Sequence, residues 1–159
     1  MKTRRITAVV FGILAIAWAS VLFFFSGQSG VDSSSLSLSL ARIIVGWFPV
    51  LGGPADFEPL LRKLAHFGIF AIEGFFAGTA LICALGYIKG SVLAAVICAL
   101  LAVANEYHQT FSVNRSCEVR DMLIDSCGAL LGVIVSAAVV AVVMGISRTK
   151  QRKNSRSFR

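Results

Sequence analysis

The feature that most constrains this chain is a run of twenty residues, Ile6–Phe25, without a charged side chain. A helix rises about 1.5 Å per residue, so about 20 apolar residues match a hydrocarbon layer roughly 30 Å thick. Three more apolar runs follow, at 67–87, 91–104 and 122–146, interrupted by a charge only at Glu73 and Asp125. Hydrophobic residues make up 57% of the 159, above the roughly 45–50% of a soluble domain. The expected fold class is all-α. It is a polytopic membrane bundle of four transmembrane helices, about 6–25, 67–87, 91–104 and 122–146, in a single domain over 1–147. Residues 148–159 form a basic tail.

The formal charge of +7 does not point to nucleic acid, because the basic residues are at the ends. Of fifteen Lys and Arg, three lie in the first five residues and six lie after Ser147. Basic segments flanking apolar runs are topology signals. Four spans put both termini on one side, and the basic tails put that side in the cytoplasm, with Lys89 in a tight turn over 87–90. The tail reads as a disordered anchor to anionic lipid. Residues 26–66 and 105–121 then face outward. The N-terminal segment resembles a signal peptide, and Ala17-Trp18-Ala19 offers a cleavage site. Its apolar run exceeds the usual 7–15 residues, so it reads as a retained first helix.

The four cysteines give no metal signature. Cys83 and Cys98 lie in apolar runs as packing residues, whereas Cys117 and Cys127 flank a polar stretch, where an oxidising face would permit a disulfide. The first outer segment opens with a Ser- and Gly-rich loop, 26–35. Leu36, Leu40, Ile43, Ile44, Trp47 and Leu51 then recur at three- and four-residue steps. This predicts an amphipathic interfacial helix over about 35–50, capped by Ser33–Ser35 and ended by Gly52-Gly53-Pro54, with Trp47 at headgroup level.

One stretch, 105–128, is dense in charge: NEYHQTFSVNRSCEVRDMLIDSCG. The apolar run before it covers only about 21 Å as a helix, so Asn105 and Glu106 start below the membrane surface. Asp121 and Asp125 share a helix face, as do Glu106 and Gln109, while Arg62, His66 and Glu73 follow the same spacing. Ionisable groups at membrane depth usually face the bundle interior and pair with one another. Glu106, Asp121, Asp125 and His66 are therefore the candidate acid–base residues. The same carboxylates and imidazole would suit a divalent cation. Arg115, Gln109, Arg62, Lys63 and Gln28 are the candidate ligand-binding residues, and Arg120 is a further cation for a phosphate or carboxylate. The bland alternative is that these acids and bases only neutralise each other and fix helix packing. Gly128 and Gly132 form a GxxxG pair that permits close helix approach.

These residues resemble the VanZ-like family of bacterial membrane proteins. The resemblance rests on FSGQSGVDSSSLSLSLA (25–41), RKLAHFGIFAIEG (62–74) and, most strongly, residues 105–132. There the family pattern is Glu-x-x-Gln, then Arg, then Asp-x-x-x-Asp/Asn-x-x-Gly-x-x-x-Gly. It falls on Glu106, Gln109, Arg115, Asp121, Asp125, Gly128 and Gly132. Val113-Asn114 stand where the family often has Pro-Gly. Ile69 stands where it often has Glu, with Glu73 one turn further on. The resemblance implies a multi-pass protein of the bacterial cytoplasmic membrane, and the family's founding member is associated with resistance to the glycopeptide teicoplanin. It supplies no reaction.

The leading expectation is a polar cluster that recognises or modifies a lipid-linked or wall-related ligand at the outer leaflet, with the bilayer as the other partner. The alternatives are a non-catalytic accessory protein and a small transporter with Glu73 and Asp125 as a proton path. The absence of inverted repeats makes transport the weakest of the three.

Overall fold

The computed structural model describes residues 2–157, with side chains described over 2–145. Five helices carry the chain: α1 (Lys2–Ser26), α2 (Gly30–Trp47), α3 (Pro54–Leu85), α4 (Tyr87–Gln109) and α5 (Val119–Ser157). A 3-10 turn at Pro49–Leu51 joins α2 to α3. Four helices are long and apolar enough to cross a membrane: α1, α3, α4 and the Val119–Gly145 part of α5. The outward sides of α1, α4 and α5 expose Ile16, Leu100 and Ile134, among many apolar side chains. In a four-helix membrane protein, lipid covers such a surface.

Because lipid tails are as apolar as leucine, burying leucine gives these helices little reason to associate, and close backbone contact must do that work. The bundle is built accordingly around α3, which packs on α5, α1, α4 and α2. At the α3–α5 seam, a Cβ on Gly128 would lie 2.2 Å from the Phe67 carbonyl oxygen, and one on Gly132 would lie 2.0 Å from that of Ala71. Gly74 faces Ala129 in the same way from the other side. The expected GxxxG pair is thus the contact surface between these two helices. Further along the seam, the Thr79 and Ser136 hydroxyls are hydrogen-bonded to each other at 2.9 Å.

Two polar ties hold α1 to α3. The Trp18 indole N–H donates to the Ile69 carbonyl at 2.9 Å. Arg4 donates to the Ile82 carbonyl at 3.2 Å, placing a cation at the C-terminal end of α3, where the helix dipole favours one.

Several boundaries differ from the sequence reading. α3 begins at Pro54, thirteen residues before the expected 67, because a helix that continues past the apolar zone needs no apolar signature there. α4 runs from Tyr87 to Gln109, longer than the expected 91–104. Tyr87–Gly90 is its first turn and not a connection. The α3–α4 link is Gly86 alone, at φ 93°, a left-handed conformation suited to glycine. α2 starts before the predicted Ser33–Ser35 cap. Ser29 is the N-cap and accepts from the Asp32 N–H at 3.2 Å, and its hydroxyl donates to the Asp32 carboxylate at 2.6 Å. Asp32 sits three residues after the cap, as in a capping box, and so outcompetes the later serines. α5 continues as a helix to Ser157, so the basic tail has helical backbone as far as that residue, where its composition suggested disorder. The side chains of that tail lie outside the described residues.

Candidate functional site

The polar residues meet at the end of the bundle where α1 and α4 stop and α3 and α5 begin. Local chemistry fixes that arrangement from the loop 110–118. The Gly30 N–H donates to the Val113 carbonyl at 2.9 Å, and the Ser112 hydroxyl donates to the Gly27 carbonyl at 3.0 Å. A Cβ on Gly30 would meet the Asn114 oxygen at 2.4 Å, so glycine lets the two segments touch. Asn114 is at φ 59°, a left-handed conformation that Asn tolerates better than most residues. It can therefore stand where the family often has glycine. The loop is thereby tied to the α1–α2 junction, with Arg115 turned inward.

Glu106 is the hub of the arrangement and is 1% exposed. Its Oε1 accepts from Gln109 Nε2 at 2.8 Å, and its Oε2 accepts from the Glu118 backbone N–H at 3.2 Å. Because the Gln109 amide N–H faces Glu106, its oxygen is free to accept from the Arg115 guanidinium, at 2.8 Å. The Glu-x-x-Gln spacing thus becomes a relay that aims an arginine. Burial pushes the Arg115 guanidinium below its usual pKa, the neighbouring Arg62 charge adds to this, and Glu106 opposes it. It remains a cation in any case.

The second constellation joins α3 to α5. Asp125 is 0% exposed, and its Oδ1 lies 3.5 Å from His66 Nδ1. Neither Asp125 oxygen has a hydrogen-bond partner, so the approach to His66 is at ion-pair distance and not a hydrogen bond. The seam explains how so short a side chain reaches His66. Asp125 and Gly128 are on one face of α5, and Gly128 sits directly on Phe67, the residue after His66. Asp121 is one turn before Asp125 at the start of α5, half-buried, with Oδ1 buried and unbonded.

A cavity of about 340 Å³ opens beside this cluster, between α1, α2 and α3. Its walls are apolar, with Trp18, Leu22, Leu36, Leu40, Ile69 and Phe70 among them. Its polar rim holds Gln28, Arg62, His66 and Arg115, joined by Ser26 and Asn105. Asn105 is 1% exposed and neither polar atom of its amide has a protein partner; the Ser26 hydroxyl and Arg115 Nε are likewise buried and unbonded. Unpaired buried polar groups are uncommon, and this many around one cavity call for an occupant.

The structure therefore brings Glu106, Gln109, Arg115, Arg62, His66, Asp121 and Asp125 together, but in two tiers. Arg62, His66, Arg115 and Gln28 line the cavity, while Glu106, Gln109, Asp121 and Asp125 stand behind them; Gln109 holds Arg115, Glu106 holds Gln109, and Asp125 approaches His66. Lys63 does not line the cavity, and Arg120 is exposed. Glu73, expected on the same side as His66, is buried beside Cys98 of α4, with its Oε2 unbonded. Seven residues are two helical turns, so Glu73 keeps roughly the face of His66 but stands about 10 Å deeper along α3, and it does not line the cavity. Among the described residues, no three His, Cys, Asp or Glu side chains are placed to hold one metal ion. Cys117 and Cys127 are both free thiols. His108 packs edge-on against Phe23, with ring centres 5.5 Å apart. Sequence reasoning did not single out Asn105, Ser26 or Trp18 as site residues. Only the position of Asn105 at the polar end of an apolar run hinted at its place.

Comparison with known proteins agrees with this architecture. No curated protein and no solved structure matches the chain at a significant level. The pattern that defines the VanZ/LLP1 family matches residues 11–142, from within α1 to within α5 and across every cluster residue named above. The chain, a multi-pass membrane protein, belongs to the VanZ/LLP1 family.

Proposed function

We propose that this protein recognises an anionic, lipid-linked component of the cell envelope at the outer leaflet of the bacterial cytoplasmic membrane. The observation that carries this reading is the juxtaposition of two guanidiniums, Arg62 and Arg115, on the rim of a cavity with apolar walls. Arginine offers planar, bidentate donors to phosphate or carboxylate, and the apolar walls suit a hydrocarbon chain. A volume of about 340 Å³ falls at the low end of small-ligand sites, roughly 300–1,000 Å³. It would take a headgroup and the first part of a chain, leaving the rest in the bilayer. The basic termini support an orientation with both ends in the cytoplasm and the cavity outside. The family's association with teicoplanin resistance fits a ligand at the surface where wall precursors are exposed.

Two measurements test this reading. A membrane-impermeant maleimide should label Cys117 in intact cells, since that thiol is exposed at the cavity end; protection until lysis would reverse the orientation. Lipids copurifying with the wild-type protein should be profiled against those copurifying with the Arg62→Gln/Arg115→Gln pair. One anionic envelope lipid should be enriched with the wild type alone. The same lipids with both proteins would remove this reading.

A further inference from the structure

Resting on the reading just proposed, we infer that the cavity is a hydrolysis site for a single-chain lipid carrying a terminal phosphate monoester. The argument starts from the occupant's charge. Two arginines line the cavity, and the one salt bridge among the described residues, His66–Asp125, involves neither of them. A phosphate monoester is a dianion with three outer oxygens, so it matches two guanidiniums. A phosphodiester carries one charge and two chains, which the small cavity does not suit. The unbonded groups agree with this count. The Asn105 amide, the Ser26 hydroxyl and Arg115 Nε are all buried donors on the same cavity without a protein acceptor. Three phosphate oxygens would satisfy them, and donors already in place lower the cost of charge that develops during reaction.

The catalytic group follows from the second tier. Asp125 faces Nδ1 of His66, while His66 itself lines the cavity. A carboxylate 3.5 Å from Nδ1 favours the tautomer with its proton on that nitrogen. Nε2, on the opposite side of the ring, is then the nitrogen available as a base. Glu106 is unsuited to that role because both of its oxygens already accept hydrogen bonds.

The step closes on the groups present. Water gives a proton to His66 Nε2 as its oxygen forms a bond to phosphorus. The bond from phosphorus to the lipid oxygen breaks, and its electron pair stays on that oxygen. Attacking and leaving oxygens stand on opposite sides of phosphorus, so the lipid oxygen takes its proton from water at the cavity mouth and Nε2 returns its own to solvent. The products are a lipid alcohol and inorganic phosphate, and the imidazole returns neutral. His66 is then the catalytic residue and Asp125 a positioning residue.

The test uses the full-length protein in nanodiscs, with 1-oleoyl lysophosphatidate and undecaprenyl phosphate as separate probes, and reads both lipid binding and phosphate release. Wild type should release phosphate from one of them, and the one hydrolysed identifies the chain. His66→Gln should lower kcat by about 100-fold or more, the usual contribution of a general acid–base, with KM little changed. Asp125→Asn should lower kcat with KM also held, a split that mere loosening of the fold would not give. Arg62→Gln sits away from the seam and is the safeguard if the other variants do not fold; it should raise KM at least about tenfold. Binding without phosphate release from either probe overturns the hydrolase and leaves the recognition reading intact. No binding of either probe overturns both. Full turnover in folded His66→Gln removes the role given to that residue.

Discussion

The two sides of α3 obey opposite rules. Toward α5, the helix is closed against its neighbour by backbone contact, with Phe67 and Ala71 carbonyls against Gly128 and Gly132. Toward α1 and α2 it opens into a cavity ringed by donors without acceptors. The closed side sets positions to within an atom's width and leaves nothing for a ligand. The open side leaves polar groups unpaired, which is costly in an empty protein and useful in a binding one. His66 joins the two, since its Nδ1 belongs to the closed side and its ring edge to the open one.

That contrast is broken most sharply at the seam. Gly132→Val places a branched side chain where even a Cβ would lie 2.0 Å from a carbonyl oxygen. Overpacking typically costs about 1–3 kcal/mol, and at this contact the upper end is expected. Thermal unfolding in detergent should show it, together with loss of all site properties. Glu106→Leu comes next. It leaves the Gln109 amide and the Glu118 N–H without their acceptor, at about 2–3 kcal/mol. Arg115 should lose its aim, read as weaker ligand binding in whatever fraction stays folded. Asn114→Val forces a β-branched residue into a left-handed conformation, at about 1–2 kcal/mol. Asn114→Gly should be neutral in the same melting experiment. At the small end, Lys63→Gln should change neither melting nor binding, because Lys63 does not line the cavity. A loss of binding there would move the anion site along α3.

The closed side was largely legible in the sequence, and the open side was not. The four spans, the GxxxG contact and the Glu106–Gln109 and Asp121–Asp125 faces follow from helical spacing, which is local information. The ends of α3 and α4 were missed because helix continues through Pro54–His66 and Asn105–Gln109, where apolar content fails as a guide. Glu73 shares the face of His66 two turns deeper, and spacing along one helix does not say which neighbour, here Cys98 of α4, stands beside it. The cavity joins Trp18, Leu36, Arg62, Asn105 and Arg115, residues from five separate segments. No periodicity records such a meeting. Spacing groups Gln109 with the ligand-binding residues, and the structure puts it behind the cavity, between Glu106 and Arg115. Spacing can gather a motif without saying which member touches the ligand.

The central claim is that two guanidiniums on the open side of α3 receive an anionic headgroup. It is tested most directly by the affinity of a phosphate-headed lipid for the nanodisc-embedded protein, wild type against the Arg62→Gln/Arg115→Gln pair. Charge-assisted hydrogen bonds are worth about 1.5–3 kcal/mol each, so the double variant should bind at least about 100-fold more weakly while melting at the wild-type temperature. Equal affinity in a folded double variant would contradict the account.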